Sequence, residues 1–461
     1  MAASRGSGSL ASLWPLNIED YVFRFPVFLL LPALLTAATH RSHKLSQGHK
    51  RPQAPEAPLL IVHDVSVVDV ANGELLPHRD LYLRGERIAD IRPAASRTQR
   101  ERYVIPGLWD MHVHLWNEDP QTGLYIASGV TSIRDMGSDL KRILTLEVRI
   151  ARGEMPGPRV YAAGAVVSAT PAEPGLRMPV NIVRTPDEAR RIFDVYYDQR
   201  VDVIAIRDLD GRSFEALAER SRHDGIPFAG DLPDSVSAAD AALDRMVSME
   251  HLFGIGLACS SRQQELRAKP PVVDGEIMDS FDPATAASLW DLFRRYGVRQ
   301  TPMLTWWNRK ACLNGAGDGM AYVAESTRST WKPAQAESDR AHYDFALKLT
   351  RDMARAGVPI LAGTDTGDPW TAPGFELHRE LELLQSAGLT PAQALRAATI
   401  EPAKLMRRDD QGEVKKGAVA DLVVLSANPL ADIRNTRAIE AVIVRGKIID
   451  HAGIIRLLEH L

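Results

Sequence analysis

The sequence predicts an α/β fold, a (β/α)8 barrel of the TIM type with a small composite β-sandwich domain formed by both chain ends. The composition is globular, since 45% of the 461 residues are hydrophobic and 25% are charged. Strand and helix patterns alternate through the middle of the chain, which is typical of a parallel sheet wound with helices. Segments rich in β-branched residues flank this middle part on both sides, and these predict the second domain.

The charge balance and the cysteine count exclude several classes of protein. The formal net charge is −4, which argues against a dedicated nucleic-acid-binding protein. The two cysteines, Cys259 and Cys312, exclude a disulfide scaffold and a CxxC zinc or redox site. We therefore expect a small-molecule substrate and no nucleic-acid partner.

Residues 1–58 are predicted to be a signal or anchor segment followed by a linker. Residues 25–39 are uncharged, a run that is short for a membrane span of about 20 residues and suits the apolar core of a signal peptide. Cleavage after Ala38 would export the protein to the periplasm or the extracellular space. The alternative is an uncleaved anchor that attaches residues 22–39 to a membrane.

The acidic residues ahead of this run do not fit a signal peptide. Glu19 and Asp20 lie where a positively charged leader is expected. We hypothesise that translation starts near Val22, which leaves a short leader carrying Arg24.

Both flanks of the central region have strand patterns. Residues 59–70 are rich in β-branched residues, and residues 80–91 alternate about a Gly-Glu turn, which predicts a strand and a hairpin. Residues 420–425 and 441–450 repeat this pattern near the other end. We assign residues 59–104 plus 415–452 to the composite β-sandwich domain.

The region 105–414 is assigned to the barrel. Eight short apolar runs serve as its strands: 104–109, 130–134, 159–163, 201–206, 226–229, 245–249, 298–303 and 358–362. Thr185, Asp282 and Thr390 each precede a proline and are predicted to cap helices. Helical insertions are expected near 260–300 and 306–341, and the second contains Trp306, Trp307 and Trp331, which suit a packed helical lid or a pocket wall.

The candidate chemistry begins with two histidines in the segment IPGLWDMHVH, residues 105–114. Alternate residues of a strand point to one face, so His112 and His114 are expected to project together. At the carboxyl end of the first barrel strand they would lie in the mouth where barrel active sites are found. Two converging imidazoles suit a divalent metal ion such as Zn²⁺.

Several further motifs in order accompany this pair: GVTSIRDMG at 129–137, SMEHL at 248–252, AGTDTG at 362–367, GLTPAQALRAATIEPAKLM at 388–406 and GAVADLVVL at 417–425. With PGLWDMHVH at 106–114, the chain resembles the metal-dependent amidohydrolase superfamily over residues 59–452. The resemblance is to its imidazolonepropionase-like and Xaa-Pro-dipeptidase-like branch.

The resemblance implies hydrolysis by a water that one or two metal ions activate. It implies that His112 and His114 hold the more buried ion and that His251 binds a second ion. Asp365 would touch the metal, take a proton from the attacking water and pass it to the leaving nitrogen.

The sequence departs from the family at two metal ligands. Ala205 occupies the position of a bridging lysine on the fourth strand, and Asp231 replaces a histidine after the fifth. Without a bridging carboxylate, two nearby cations repel each other with less compensation, so we expect one ion, of zinc, rather than two. His112, His114 and Asp365 would hold it, with Asp231 or His251 completing the site. The alternatives are a weaker second ion at Asp231 and His251, or a relic site.

The functional prediction is a hydrolase of carbon–nitrogen bonds in a small amide, cyclic amide or dipeptide-like substrate. The alternative is a catalytically impaired homologue that acts as a binding protein. Arg207 shares a strand face with Ala205, and His378 lies at a helix start after the eighth strand. Both are predicted substrate contacts, with a salt-bridged structural arginine and an exposed helix histidine as the respective alternatives.

Overall fold

In a computed structural model, the protein has an α/β fold with parallel sheets. The structure describes residues 58–115, 121–172, 178–268, 274–311, 317, 319–329, 331 and 340–459. The predicted signal or anchor segment, its linker up to residue 57 and Cys312 lie outside these residues. Among the helices of the described ranges, none combines the length and the apolar character that a membrane crossing requires.

Sixteen strands occur in the described ranges. In chain order they are β1 (Leu59–Asp69), β2 (Glu74–Arg84), β3 (Arg87–Pro93), β4 (Tyr103–Pro106), β5 (Leu108–Val113), β6 (Val130–Asp135), β7 (Arg159–Ala162), β8 (Val166–Ser168), β9 (Val180–Ile182), β10 (Ile204–Ile206), β11 (Phe228–Gly230), β12 (Ser248–Glu250), β13 (Arg299–Thr301), β14 (Leu422–Leu425), β15 (Ile439–Val444) and β16 (Lys447–Ile449).

The helices alternate with these strands through the middle of the chain. They are α1 (Thr122–Ala127), α2 (Leu140–Ala151), α3 (Pro186–Gln199), α4 (Gly211–Asp224), α5 (Ala238–Leu243), α6 (Ile255–Ala258), α7 (Gln263–Arg267), α8 (Asp274–Asp279), α9 (Pro283–Tyr296), α10 (Leu304–Lys310), α11 (Glu325–Arg328), α12 (Arg340–Arg355), α13 (Phe375–Ser386), α14 (Pro391–Ala397), α15 (Ile400–Leu405) and α16 (His451–Glu459).

Three predicted helix starts are confirmed. The side chains of Thr185, Asp282 and Thr390 each accept a hydrogen bond from a backbone N–H in the first turn of α3, α9 and α14. In each case proline occupies the first helical position, where the missing N–H is not needed.

A seven-stranded sheet joins segments that are far apart in the sequence. Its order is β16-β15-β14-β4-β1-β2-β3. Strand β4 makes this connection, because it pairs in parallel with β1 and antiparallel with β14. Val65, Leu81, Ile88, Leu422 and Ile443 form part of the apolar cluster on this sheet.

The remaining strands form two parallel sheets with the orders β13-β12-β11-β10-β8-β9 and β5-β6-β7. Isolated parallel bridges connect Val113 at the end of β5 with Thr366, and Gln300 in β13 with Ile360. Because neighbouring parallel strands end at a common edge, the residues that follow β10, β11 and β12 are brought close together.

The structure corrects the prediction for the first and eighth barrel strands. The run 104–109 is divided between β4 and β5, since the chain passes from one sheet to another at Gly107. A Cβ there would lie 2.0 Å from Thr131 Oγ1, so only glycine allows this close crossing. The run 358–362 forms a single bridge at Ile360 instead of a strand. Strands β8 and β9 were not predicted.

Candidate metal centre

Three buried side chains converge at the ends of parallel strands. His112 lies near the end of β5, His251 directly follows β12, and Asp365 lies in the segment that bridges to β5. Each offers one potential ligand atom, and these atoms all lie within 4.8 Å of one another. We refer to His112, His251 and Asp365 as the His-His-Asp cluster.

His114 adjoins this cluster through Asp365. Its Nε2 lies 3.0 Å from Asp365 Oδ1, whereas the Nε2 of His112 lies 3.6 Å from the same oxygen. The rings of His112 and His114 meet edge to face at 5.1 Å. Burial would raise the pKa of Asp365, but the hydrogen bond and charge of His114 hold that pKa well below its usual range.

Two members of the cluster have strained backbones. His251 has φ 57° and Asp365 has φ 59°, in the left-handed region that side chains with a Cβ seldom adopt. Such strain costs on the order of 1–3 kcal/mol per residue and persists where surrounding structure imposes it. The chain after Asp365 packs tightly, since a Cβ at Gly367 would lie 2.5 Å from His114 O. This strain marks the segment as a functional candidate.

A buried ion pair orients His112. Its Nδ1 lies 3.1 Å from Glu250 Oε2, and the other carboxylate oxygen of Glu250 accepts a hydrogen bond of 2.8 Å from Arg134. Arg134 also donates to Met111 O and Ser248 Oγ, so its buried charge is well paired. Burial opposes ionisation of Glu250, yet Arg134 and His112 lower its pKa to about 2. A carboxylate behind a histidine fixes the ring and the nitrogen that faces a metal.

Asp110 connects β5, which carries His112, with the segment that carries Asp365. Its Oδ1 accepts from the N–H of Thr364 at 3.1 Å, and its Oδ2 accepts from the hydroxyl of Thr364 at 2.6 Å. Burial raises the pKa of Asp110 to about 8. The contact fixes residue 364 beside β5 and therefore fixes Asp365 beside His112.

His251 has the surroundings expected of a neutral ligand. Its ring stacks on Phe253 with centroids 4.9 Å apart and meets Trp306 edge to face at 5.0 Å. Burial lowers the pKa of His251 to about 3, which keeps the ring neutral. Within the described ranges, its buried Nδ1 has no hydrogen-bond partner.

Asp231 lies beside His251 and is not one of the three residues of the His-His-Asp cluster. Its Oδ1 lies 4.0 Å from His251 Nε2, and its Oδ2 lies 3.9 Å from Arg207 Nε. Burial raises the pKa of Asp231 to about 7, against the charge of Arg207. The position after β11 is set by Gly230, whose φ is 141° and where a Cβ would lie 2.0 Å from Ile206 O. Asp231 therefore lies between Arg207 and His251, about equally far from both.

Ala205, at the predicted fourth-strand position, offers no ligand atom. Ala205 is 2% exposed and packs in an apolar cluster with Met136, Val166 and Ala229. The donor chemistry of the His-His-Asp cluster fits a divalent transition metal, since two imidazoles and a carboxylate are ligands that such ions take. The unpartnered Nδ1 of His251 is consistent with this fit.

The prediction for His378 is corrected. This histidine lies inside α13, is 3% exposed, and has both ring nitrogens within hydrogen-bond distance of neighbours. Nδ1 lies 2.9 Å from Thr436 Oγ1, and Nε2 lies 3.0 Å from Ser128 O. It connects the start of α13 to two other segments of the core, and neither a substrate contact nor an exposed position describes it.

Two residues that support the cluster were missed in the sequence. Glu250 directly precedes His251 in SMEHL, and Asp110 lies two residues before His112 on the same strand face. An acid inside an otherwise apolar strand next to a predicted ligand was the available signal, because a buried carboxylate requires a partner.

Comparisons with known proteins are consistent with this geometry. Residues 347–449 match the model described as "Amidohydrolase family". The chain is 25% identical to ochratoxinase from Aspergillus niger, with 86% of this chain and 83% of the relative covered.

Two solved structures share the fold. A bottromycin amidohydrolase superposes with a TM-score of 0.69 at 23% identity, covering 89% of this chain and 91% of that one. A Xaa-Pro dipeptidase with bound methionine in the active site superposes with a TM-score of 0.65 at 19% identity, covering 85% and 100%. The predicted resemblance to the amidohydrolases is thus confirmed.

Proposed function

Because the chain carries an amidohydrolase family domain, we propose that it is a metal-dependent hydrolase of carbon–nitrogen bonds. The observation that carries the proposal is the His-His-Asp cluster, with its ligand atoms within 4.8 Å of one another. The names of the relatives, an amidohydrolase and a dipeptidase among them, describe enzymes of the same reaction class.

We propose one divalent ion, zinc, held by His112, His251 and Asp365, with His114 beside Asp365. When bound, the ion polarises the scissile carbonyl and lowers the pKa of a water molecule. The apolar side chain of Ala205, which offers no bridging ligand atom, argues against a second ion of equal affinity.

The residues around the ion have separate tasks. A carboxylate oxygen of Asp365 takes the proton of the attacking water and passes it to the leaving nitrogen. His114, 3.0 Å from Asp365 Oδ1, holds that carboxylate in position. Glu250 and Arg134 hold the ring of His112 through its Nδ1.

We propose that Arg207 contacts an anionic group of the substrate. Its guanidinium is 32% exposed, beside Asp231 and at the edge of a cavity that adjoins the cluster. A planar guanidinium suits a carboxylate, which a dipeptide-like substrate carries.

The finer architecture is part of the proposal. The bridges Val113–Thr366 and Gln300–Ile360 support closure of the parallel strands into a barrel over residues 105–414. The pairing of β4 with β1 and β14 supports a composite β domain of 59–104 and 415–452.

We also propose export of the protein through the apolar run 25–39, on the sequence pattern alone. Amino-terminal sequencing of secreted and membrane fractions tests this. A mature end after Ala38 supports cleavage, and retention of residues 22–39 in the membrane fraction supports an anchor.

The proposed activity is tested by metal analysis combined with a hydrolysis screen. Mass spectrometry of the purified chain is expected to give about one zinc ion per chain. The screen uses N-acyl amino acids, dipeptides and hydantoin-like rings. Asp365→Asn is expected to lower kcat by about 10²–10⁴-fold, the contribution typical of a proton-transfer group.

Asp187→Asn on α3, whose side chain is 81% exposed, is the matched control and should retain full activity. Full activity of Asp365→Asn would contradict the proton-transfer role. A folded chain that binds no metal and hydrolyses none of these compounds would support the binding-protein alternative.

A further inference from the structure

A large cavity of about 660 Å³ lies beside the His-His-Asp cluster. Its volume falls in the range of about 300–1,000 Å³ that is usual for ligand pockets. Helices α6, α8, α10 and α12 contribute to its wall together with the loops after β11 and β12. Most of its lining side chains are apolar, among them Leu257, Ile277, Met278, Phe345 and Leu349.

The wall of this cavity is continuous with the cluster. Phe253 lines the cavity and stacks on the His251 ring at 4.9 Å. Trp307 also lines it, and its Nε1 donates a hydrogen bond of 3.0 Å to His251 O. Asp231 lies both in the cavity wall and 4.0 Å from His251. A substrate whose reacting bond lies at the cluster can therefore extend into the cavity.

A second pocket, beside His114, offers much less space. The pocket lined by His114, Tyr125, Thr366 and Asp368 has room for about 20 Å³. That is close to the space that a single water molecule requires. A bulky substrate group is consequently directed to the side of Asp231 and Phe253.

Several of the polar groups in the wall already have protein partners. Arg267 donates to Asp234 O at 2.8 Å and to Val236 O at 3.3 Å. His342 Nε2 lies 2.9 Å from Asp274 Oδ2. An apolar ligand group therefore displaces water from apolar surface without breaking these contacts.

We propose that this cavity is the specificity pocket of the enzyme and takes a bulky apolar group, aromatic or branched aliphatic, of the amide substrate. The substrate class is then N-acyl amino acids and related amides with one large apolar group. This inference rests on the proposed hydrolase function, which it deepens.

The test compares substrates that differ only in the size of one group. N-acetylglycine is the small reference, while N-acetylphenylalanine and N-phenylacetylglycine place an aromatic ring on either side of the amide. At least one aromatic compound is expected to exceed N-acetylglycine in kcat/KM by about tenfold or more, as for a filled apolar pocket. Equal kcat/KM values for all three would overturn the proposal.

A cavity-filling variant links this preference to the pocket. Met278→Trp, at a half-buried position of α8, is expected to lower kcat/KM for the preferred aromatic compound about tenfold. The loss of kcat/KM for N-acetylglycine should be clearly smaller, since its methyl group fills little of the pocket. Val148→Trp, at an exposed position of α2, is the matched control. A parallel loss for both compounds would contradict the pocket.

Calorimetric titration separates failure of this proposal from failure of the hydrolase function. If no amide is hydrolysed, N-acetylphenylalanine is still expected to bind at least about tenfold more tightly than N-acetylglycine. Met278→Trp should remove that difference. Phe345→Ala enlarges the pocket and is a second variant, expected to shift preference toward a naphthyl analogue. Absence of size-dependent binding in the wild-type chain would overturn the pocket, whatever the enzyme activity.

Discussion

The two sides of the candidate site differ in packing: one is filled with hydrogen-bonded polar side chains, and the other adjoins a large cavity. On the side of β5 and residues 364–366, His112, His114 and Asp365 are all at most 8% exposed and held by a dense hydrogen-bond network. On the side of β10 and β11, Ala205 carries no polar group, and Asp231 pairs loosely with Arg207 beside a large cavity.

This difference assigns separate roles to the two sides. Tight packing and paired carboxylates keep donor atoms in place, as a metal site requires. A cavity with an arginine and a carboxylate at its edge instead accommodates a ligand of variable shape. The changes at positions 205 and 231 therefore replace ligand atoms on one side of the site while the other side keeps its donors.

Loss of a ligand on the side of β5 and residues 364–366 is expected to have the largest effect on metal binding. His112→Ala should reduce bound zinc from about one ion per chain to a small fraction, because the remaining donors are too few for tight binding. Mass spectrometry after gel filtration measures the zinc content per chain, and circular dichroism checks that the variant is folded. Asp231→Asn is the matched variant on the side of β10 and β11, and this variant should keep its zinc. Equal losses in both would remove the distinction between the two sides.

Weakening the support of His112 should have the next largest effect. Glu250→Gln keeps the side-chain size and removes the charge that faces Arg134 and His112. Metal affinity is expected to fall about 10–100-fold, as for other partners of ligating histidines. Competition with a zinc chelator measures the dissociation constant. Glu219→Gln, at an exposed position of α4, is the control, and an unchanged affinity in Glu250→Gln would refute the orienting role.

His378 tests whether burial alone makes a histidine part of the site. Burial, aided by the charge of Arg437, lowers its pKa to about 3, so the unfolded chain binds a proton that the folded chain does not. Protonation of this residue in the unfolded chain therefore lowers the free energy of unfolding as the pH falls from about 6.5 toward 3. The loss is about 2 kcal/mol at about pH 5.

His378→Gln should remove that acid-induced loss and leave the zinc content unchanged. Urea unfolding at about pH 7 and pH 5 gives the free energy of unfolding at each pH, and the difference between them should be about 2 kcal/mol smaller in the variant. A loss of zinc in the variant would instead connect α13 with the metal site.

Restoring the missing ligands should have the smallest effect. Ala205→Lys combined with Asp231→His is expected to raise the metal content from about one toward two ions per chain when CO₂ is supplied, since a carboxylated lysine can bridge two ions. Ala205→Met with Asp231→His controls for side-chain volume. A stoichiometry that stays at one would mean that these positions do not face the first ion.

Much of the fold was visible in the sequence because its signals are local. The caps at Thr185, Asp282 and Thr390 need only neighbouring residues, and the hairpin of β2 and β3 needs only alternation and a turn. The division at Gly107 was missed because the crossing depends on contact with Thr131, which lies on another strand. His378 was misplaced because its partners, Ser128 and Thr436, are distant in the sequence.

Local patterns were enough to predict the α/β class, the ordered motifs and the chemical types of the candidate donors, since these depend on composition, periodicity and residue type. They also predicted what is missing, because alanine at position 205 has no ligand atom in any fold. Which donors meet depends on the tertiary structure. It brings His251 to His112 and Asp365, sets Asp231 beside Arg207, and opens the cavity behind Phe253. These arrangements depend on strand pairing and side-chain packing between residues up to about 250 positions apart, which no local pattern encodes.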